Sequence, residues 1–409
     1  MKKLSSWGSS SPQNFLAFFA ALGFLFLGSV VKAQQNPLEE IMALELPKIK
    51  AIREKEAKHE LQLLLVTIEY DKKGQAHFSS HRYHQQDSTY FYPASTVKLP
   101  IAVLALEKIK RLQEQGIAIS KDTPFHLIDP QTKQPLQQKD STHPKKQLTI
   151  GHLIKKIFLV SDNDAYNILF DFLGKKAINE GLAARGIQHT AIRHKFLFGA
   201  DNENSWEYVF LDKKDTLYHQ KSLFSPALPL LPLKAQQKGK AHWSKGKKIA
   251  SPMDFSQKNW LALSAQIELL KRLVFPQQFS FNERFDLIDE DLEFLRFWMS
   301  RTTLETTIAE YKTSEYYDSY GKFFIYGDTK GEMTDKLRIY NKVGYAYGTL
   351  TDVAYIEDKQ NKLAFFLAGT LLVNENQTFN DDTYEFEEKG IPFLAEVGRQ
   401  VYLSLINKE

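Results

Sequence analysis

The segment "FYPASTVKLPIAVLALEKIK", residues 91–110, constrains the rest of the chain more than any other. From Leu99 to Leu106 it carries no charged side chain, so a helix there is apolar on every side. Such a helix has to be wrapped completely by other elements. A chain of 409 residues is long enough to do that without staples. Pro93 marks the predicted helix start, and Pro100 is tolerated because the first turns have no acceptor for its missing N–H. The helix is predicted to run to about Gln115-Gly116.

Ser95 and Lys98 stand at the mouth of this helix. Three residues apart, they share a face. Ser95 lies at the positive end of the helix dipole, which favours charge on an attacking oxygen. Lys98, entering an apolar surround, is expected to lose its proton readily. A hydroxyl beside a neutral amine is a nucleophile–base pair. The plain alternative is a capping serine and a snorkelling surface lysine, and the spacing by itself favours that alternative.

Two further triplets bear on that choice. Ser161-Asp162-Asn163 interrupts "LTIGHLIKKIFLVSDNDAYNILFDFLG", residues 148–174, whose apolar spacing predicts two helices with a stop at Gly174. Lys342-Val343-Gly344 follows a strand pattern at 336–343. Each has an ordinary explanation, as helix caps and as an edge lysine with a turn glycine. In this order, on helix, inter-helix loop and strand, the three together are far more specific.

Strands are predicted at 61–70 and 75–84 around a turn at 71–74, and at 336–343, 349–357 and 363–373. Residues 34–60 read as a charged lead-in helix, 120–148 as loop, and 194–250 as a long, partly irregular insertion rich in Pro, Lys and Gln. Helical patterns recur at 251–274, 286–310 and 391–406. Strands at both ends and helices between them predict an α+β fold, an antiparallel sheet built from both termini beside an all-helical region. The catalytic domain is read as 61–409.

With these motifs the chain resembles the penicillin-recognising serine hydrolases, in particular the class A β-lactamases, whose set is S-x-x-K, S-D-N and K-T-G. The likeness extends through "NKVGYAYGTLTDVAYIED" and covers most of 61–409 outside the insertion. It implies a five-stranded antiparallel sheet flanked by helices, with the site between sheet and helical region. It also implies roles. Ser95 would be the acylated nucleophile and Lys98 its base. Ser161 would relay a proton to the leaving nitrogen. Asn163, Lys342 and Gly344 would bind substrate, and the backbone N–H groups of Ser95 and Tyr345 would form the oxyanion hole. No cofactor and no metal are implied. His81-x-x-His84 does not change that, because odd spacing on a strand puts the two rings on opposite faces.

Two departures stand out. Val343 replaces the family's threonine or serine, removing a hydroxyl that would bind a substrate carboxylate. The stretch 189–210 offers no clear match to the glutamate that activates the deacylating water; Glu203 and Glu207 are the nearby acids. Three activities are therefore open: a β-lactamase-like hydrolase opening β-lactam or related amide bonds, a penicillin-binding-type D-alanyl-D-alanine carboxypeptidase or esterase that deacylates slowly, and a silent cell-wall binding protein.

The formal charge of +4 includes Lys2, Lys3 and Lys32, so the remainder is +1 (4 − 3) and gives no case for nucleic acid. Those lysines flank an apolar run from Phe15 to Val31, the order of a secretory signal with cleavage near Ala33. Secretion or a periplasmic location is expected, with membrane attachment only through an uncleaved signal. The chain has no cysteine and needs no disulfide at this size. A β-lactam or a peptidoglycan peptide is the expected small-molecule partner, and a monomer the expected state.

Overall fold

The computed structural model describes residues 36–213 and 215–407; the expected signal lies outside them. The central sheet has five antiparallel strands in the order Leu337–Ala346, Thr349–Asp358, Leu363–Leu372, Gln62–Tyr70 and Ala76–Tyr83. Both chain ends supply it, as the strand pattern predicts. Val66 lies between Phe366 and Ser80, and Lys342 pairs with Val353. The run of buried residues along Gln62–Val66 reflects cover on both faces. Leu63 and Leu65 pack with the closing helix Ile391–Ile406 through Leu394 and Val397. Leu64 and Val66 face the other way, toward the helix Leu263–Val274 and the serine helix Lys98–Glu114.

The serine helix runs through the middle of that second layer, and every residue from Lys98 to Leu106 is buried. Helices Ile150–Val160, Asn163–Leu173 and Lys175–Ala183 pack around it. Gly174, at φ 80°, ends one of these and starts the next at once, so the predicted stop is also a start.

Several expectations are corrected. The lead-in segment forms three short helices, Pro37–Met42, Pro47–Arg53 and Glu56–His59, because extended Leu46 and then Pro47 break the pattern. The expected loop 120–148 contains strands Phe125–Ile128 and Pro135–Gln137. These join Glu207–Asp212 and Asp215–Gln220 of the insertion in a separate four-stranded sheet. The helix expected from 251 begins only at Leu263; Trp260-Leu261 instead bridges Thr190-Ala191. The helix expected over 286–310 is Asp289–Ser300, ended by the extended Arg301.

Candidate active site

Ser95 lies in a 3₁₀ turn, Ala94–Val97, that feeds directly into the serine helix at Lys98. Residues three apart eclipse in such a turn, which keeps Ser95 and Lys98 on one side. Ala94, immediately before the serine, is held at φ 45°, a left-handed conformation that a residue with a Cβ rarely adopts. The Ser95 amide donates to no backbone acceptor among the described residues.

The strand Leu337–Ala346 passes hard against this turn. A Cβ on Gly344 would lie 2.5 Å from the Pro93 carbonyl oxygen and 2.6 Å from the Ser95 nitrogen. Glycine is what permits the approach, so Gly344 acts here by clearance. Tyr347 and Gly348, at φ 52° and 73°, form a type I′ turn closing on the Ala346–Thr349 pair. Ladder bonds alternate from that pair, so Tyr345, opposite Leu350, turns its N–H outward from the sheet edge. The amides of Ser95 and Tyr345 are thus both unspent where the strand meets the serine turn.

Lys98 is wholly buried. Its Nζ donates to the Ser161 carbonyl oxygen, to Asn163 Oδ1 at 2.7 Å and to Ser161 Oγ at 3.3 Å. No hydrogen bond joins it to Ser95, a contact the sequence spacing leads one to expect. Three acceptors of the Ser161–Asn163 corner hold the amine instead. Burial pushes the Lys98 ammonium well below its ordinary pKa, and the positive charge of Lys342 pushes the same way.

Local structure explains why this corner can act so. Ser161 caps its helix in the left-handed region at φ 55°, and Asp162 caps the next helix, its Oδ1 accepting from the Ala165 amide at 2.7 Å. Asn163, at the first helical position, is exposed, and only its Oδ1 is engaged, by Lys98. From the sheet side Lys342 Nζ donates to Ser161 Oγ at 2.8 Å and to the Val343 carbonyl at 2.8 Å. Burial lowers the Lys342 pKa to about 7, against the opposing pull of Asp352.

Behind Lys342 lies a second buried cation that sequence reasoning missed. Lys322 Nζ donates to Met299 O at 2.7 Å, Ile339 O at 2.9 Å and Asn341 Oδ1 at 2.8 Å. Asn341 donates in turn to Asp352 at 2.8 Å, whose other oxygen accepts from the Phe323 and Phe324 amides at 3.2 Å. Burial lowers Lys322 to about 7 and raises Asp352 to about 6. No motif marks Lys322, because its segment lies outside the stretches that resemble the family.

Ser95, Asn163 and Tyr345 line one open cleft of about 860 Å³. Its far wall is the segment from His194 to Asn202, anchored where Lys195 meets buried Asp171 at 2.8 Å and where Asn259 accepts from the Arg193 and His194 amides. Phe196 covers Lys98, its ring centre 5.2 Å from Nζ. His194 donates from Nδ1 to the Lys195 carbonyl at 2.8 Å, which leaves Nε2 a buried acceptor with no partner. Neither Glu203 nor Glu207 lines the cleft. Glu207 sits in the accessory sheet, paired with Lys133 at 2.9 Å and His219 at 3.0 Å.

An antiparallel sheet assembled from both chain ends beside a helical region, with a serine turn at their junction, is the β-lactamase/transpeptidase-like fold. A model of the β-lactamase enzyme family matches residues 49–404, and the chain belongs to that family. Similar solved structures include a class A β-lactamase from Mycobacterium abscessus, 17% identical, with 90% of this chain and 99% of that one covered and a TM-score of 0.47. A β-lactamase from Streptomyces albus G is 13% identical over 90% and 99%, with a TM-score of 0.49. PBP-A is 15% identical over 91% and 97%, with a TM-score of 0.48. No curated protein matches the chain.

Proposed function

We propose that this protein is an exported serine hydrolase that forms an acyl-enzyme at Ser95 with β-lactams or related amides. The observation that carries the reading is the fully buried Lys98, its charged form disfavoured by burial and by Lys342, within reach of the Ser161 hydroxyl. In the first step Lys98 Nζ takes the Ser95 proton as Oγ bonds to the substrate carbonyl carbon. The apo amine need not already touch Ser95, since catalytic hydrogen bonds tighten on substrate binding. The Ser95 and Tyr345 amides stabilise the oxyanion. The C–N bond then breaks as Ser161 gives its proton to the leaving nitrogen and recovers one from Lys98. Asn163 holds the substrate's amide. The test is intact-mass analysis after incubation with benzylpenicillin: an adduct on Ser95 is expected, absent from Ser95→Ala.

One observation favours the penicillin-binding-type variant of this reading, in which the acyl-enzyme is long-lived. Phe196 occupies the space over Lys98, and no glutamate lines the cleft. A deacylating water has no glutamate there to take its proton, Asp382 being the one acid on the cleft wall. An adduct lasting minutes or longer, with turnover on a D-Ala-D-Ala peptide, is the expected result; rapid release would argue for efficient lactam hydrolysis.

A further inference from the structure

The basic charge of this chain is concentrated in one place. Residues 216–253 hold seven lysines and no aspartate or glutamate, so the rest of the chain carries −3 (4 − 7). Four of those lysines, Lys240, Lys245, Lys247 and Lys248, are exposed on or beside one hairpin, and none is in an ion pair among the described residues. Strands Ala241–Ser244 and Lys247–Ile249 form the hairpin, closed by a type I′ turn with Lys245 at φ 48° and Gly246 at 75°. Its first strand runs parallel to Thr378–Phe379, and Asn380 Nδ2 donates to the Trp243 carbonyl at 2.9 Å. An open groove of about 550 Å³ lies between the hairpin and residues 380–383. Asn380 and Asp382 belong to this groove and to the Ser95 cleft alike. We propose that the hairpin is a docking surface for an anionic polysaccharide whose acidic groups are well spaced along the polymer, held alongside the cleft. The inference does not depend on acylation at Ser95.

Trp243 is 39% exposed, and its ring meets no other ring or cation among the described residues. A free aromatic face of this size stacks on the C–H face of a sugar ring. Lys248 pairs with Trp243 across the hairpin, so an ammonium and the ring share one face. Lys247, opposite Ser244, carries charge on the other face. In the groove Asp382 is exposed and without a hydrogen bond or ion pair among the described residues, an acceptor for sugar hydroxyls. Asp381 is already engaged by Asn376 at 2.9 Å and by the Thr383 amide at 3.1 Å. Two other kinds of partner fit less well. Ile249 is 40% exposed but pairs with His242, one position along, so it faces away from Trp243. The ribbon therefore has no continuous apolar face of the kind that enters a lipid surface. A nucleic acid stacks its bases on a series of aromatics, whereas Trp243 is the one aromatic lining this groove, and Asp381 and Asp382 stand against phosphates.

The experiment titrates the full chain with hyaluronate, in which every second sugar carries a carboxylate. Dextran, poly-L-glutamate, single-stranded DNA and phosphatidylglycerol vesicles are titrated at the same ionic strength. Hyaluronate is expected to bind tightest. Lys245→Gln, Lys247→Gln and Lys248→Gln together should weaken it at least about tenfold and flatten its salt dependence. Trp243→Ala should weaken it about fivefold and leave the salt dependence as it is. Lys336→Gln with Lys359→Gln, at exposed lysines lining a separate surface pocket, should change nothing. No binding of hyaluronate, an affinity indifferent to Trp243 or to the three hairpin lysines, or an equal loss in the distant pair overturns the inference. So does equal or tighter binding of any other probe, which would make the hairpin a general polyanion, nucleic-acid or membrane surface, or a neutral-sugar site.

Discussion

Lys98 and Lys342 converge on one oxygen, the hydroxyl of Ser161, at 3.3 and 2.8 Å. One comes from the helical region and the other from the sheet. Burial disfavours the charged form of both, and the Lys342 charge lowers the proton affinity of Lys98 further. Ser161 has lone pairs for both and still a hydrogen to give. The arrangement sets an amine whose charged form is disfavoured beside a hydroxyl that still carries its proton, with no histidine in hydrogen-bond contact with either.

Replacing Lys98 by methionine should separate chemistry from stability. The isosteric apolar chain removes a desolvated amine, so unfolding free energy should rise by about 1–3 kcal/mol. Acylation of Ser95 should fall at least about a hundredfold, the usual share of a general base. Denaturant titration and adduct kinetics on the same sample check both.

Lys342→Met should move the acid limb of the acylation profile to higher pH. The Lys342 charge is one of the causes holding Lys98 below its ordinary value. Without it Lys98 keeps its proton to higher pH, and the neutral amine appears later. A limb that stays put would show that Lys342 has no such electrostatic role.

Stability itself should rise with pH above neutrality. Folding lowers Lys322 from 10.5 to about 7. Below about pH 7 both states hold the proton and the full cost of burying the charge is present. Between about 7 and 10 only the unfolded chain holds it, so stability climbs by about 1.4 kcal/mol per pH unit for each such proton. Lys322→Met should flatten the slope by about one proton, measured as the urea midpoint between pH 7 and 10.

Gly344→Ala should damage the site through the backbone. The new methyl would press on the Pro93 carbonyl and the Ser95 nitrogen. Overpacking of this kind costs about 1–3 kcal/mol, and the displaced amides should lower acylation at least about a hundredfold. Thermal melting and adduct rates measure the two effects.

Phe196→Glu should split the two half-reactions. A carboxylate near Lys98 gives a deacylating water its base and shortens the adduct lifetime. The same charge raises the Lys98 pKa and slows acylation at neutral pH. Pulse labelling followed by chase distinguishes them.

Much of this fold is legible in the sequence for physical reasons. The unbroken apolar run 99–106 has a single stable location, and the strand patterns at both ends leave one economical sheet. Ser161 reads as a break because it is one: a non-glycine residue in the left-handed region. The accessory sheet is illegible because its strands are three to six residues long and rich in polar side chains, too short for alternation to show. The partner of Lys98 is illegible for another reason. Spacing along a helix says which side a long amine occupies, not which of several acceptors draws it. Glu207 shows the same limit, since its partners Lys133 and His219 come from distant segments.

Ala94 has one further consequence. No local preference favours its backbone angle, which costs about 1–2 kcal/mol in an L-residue, so only the assembled surroundings impose it. A nascent or partly unfolded chain relaxes there, and its serine is then an ordinary alcohol with no amides gathered around it. Under the proposed mechanism, then, acylation at Ser95 requires the assembled fold around Ala94 and not the local sequence alone.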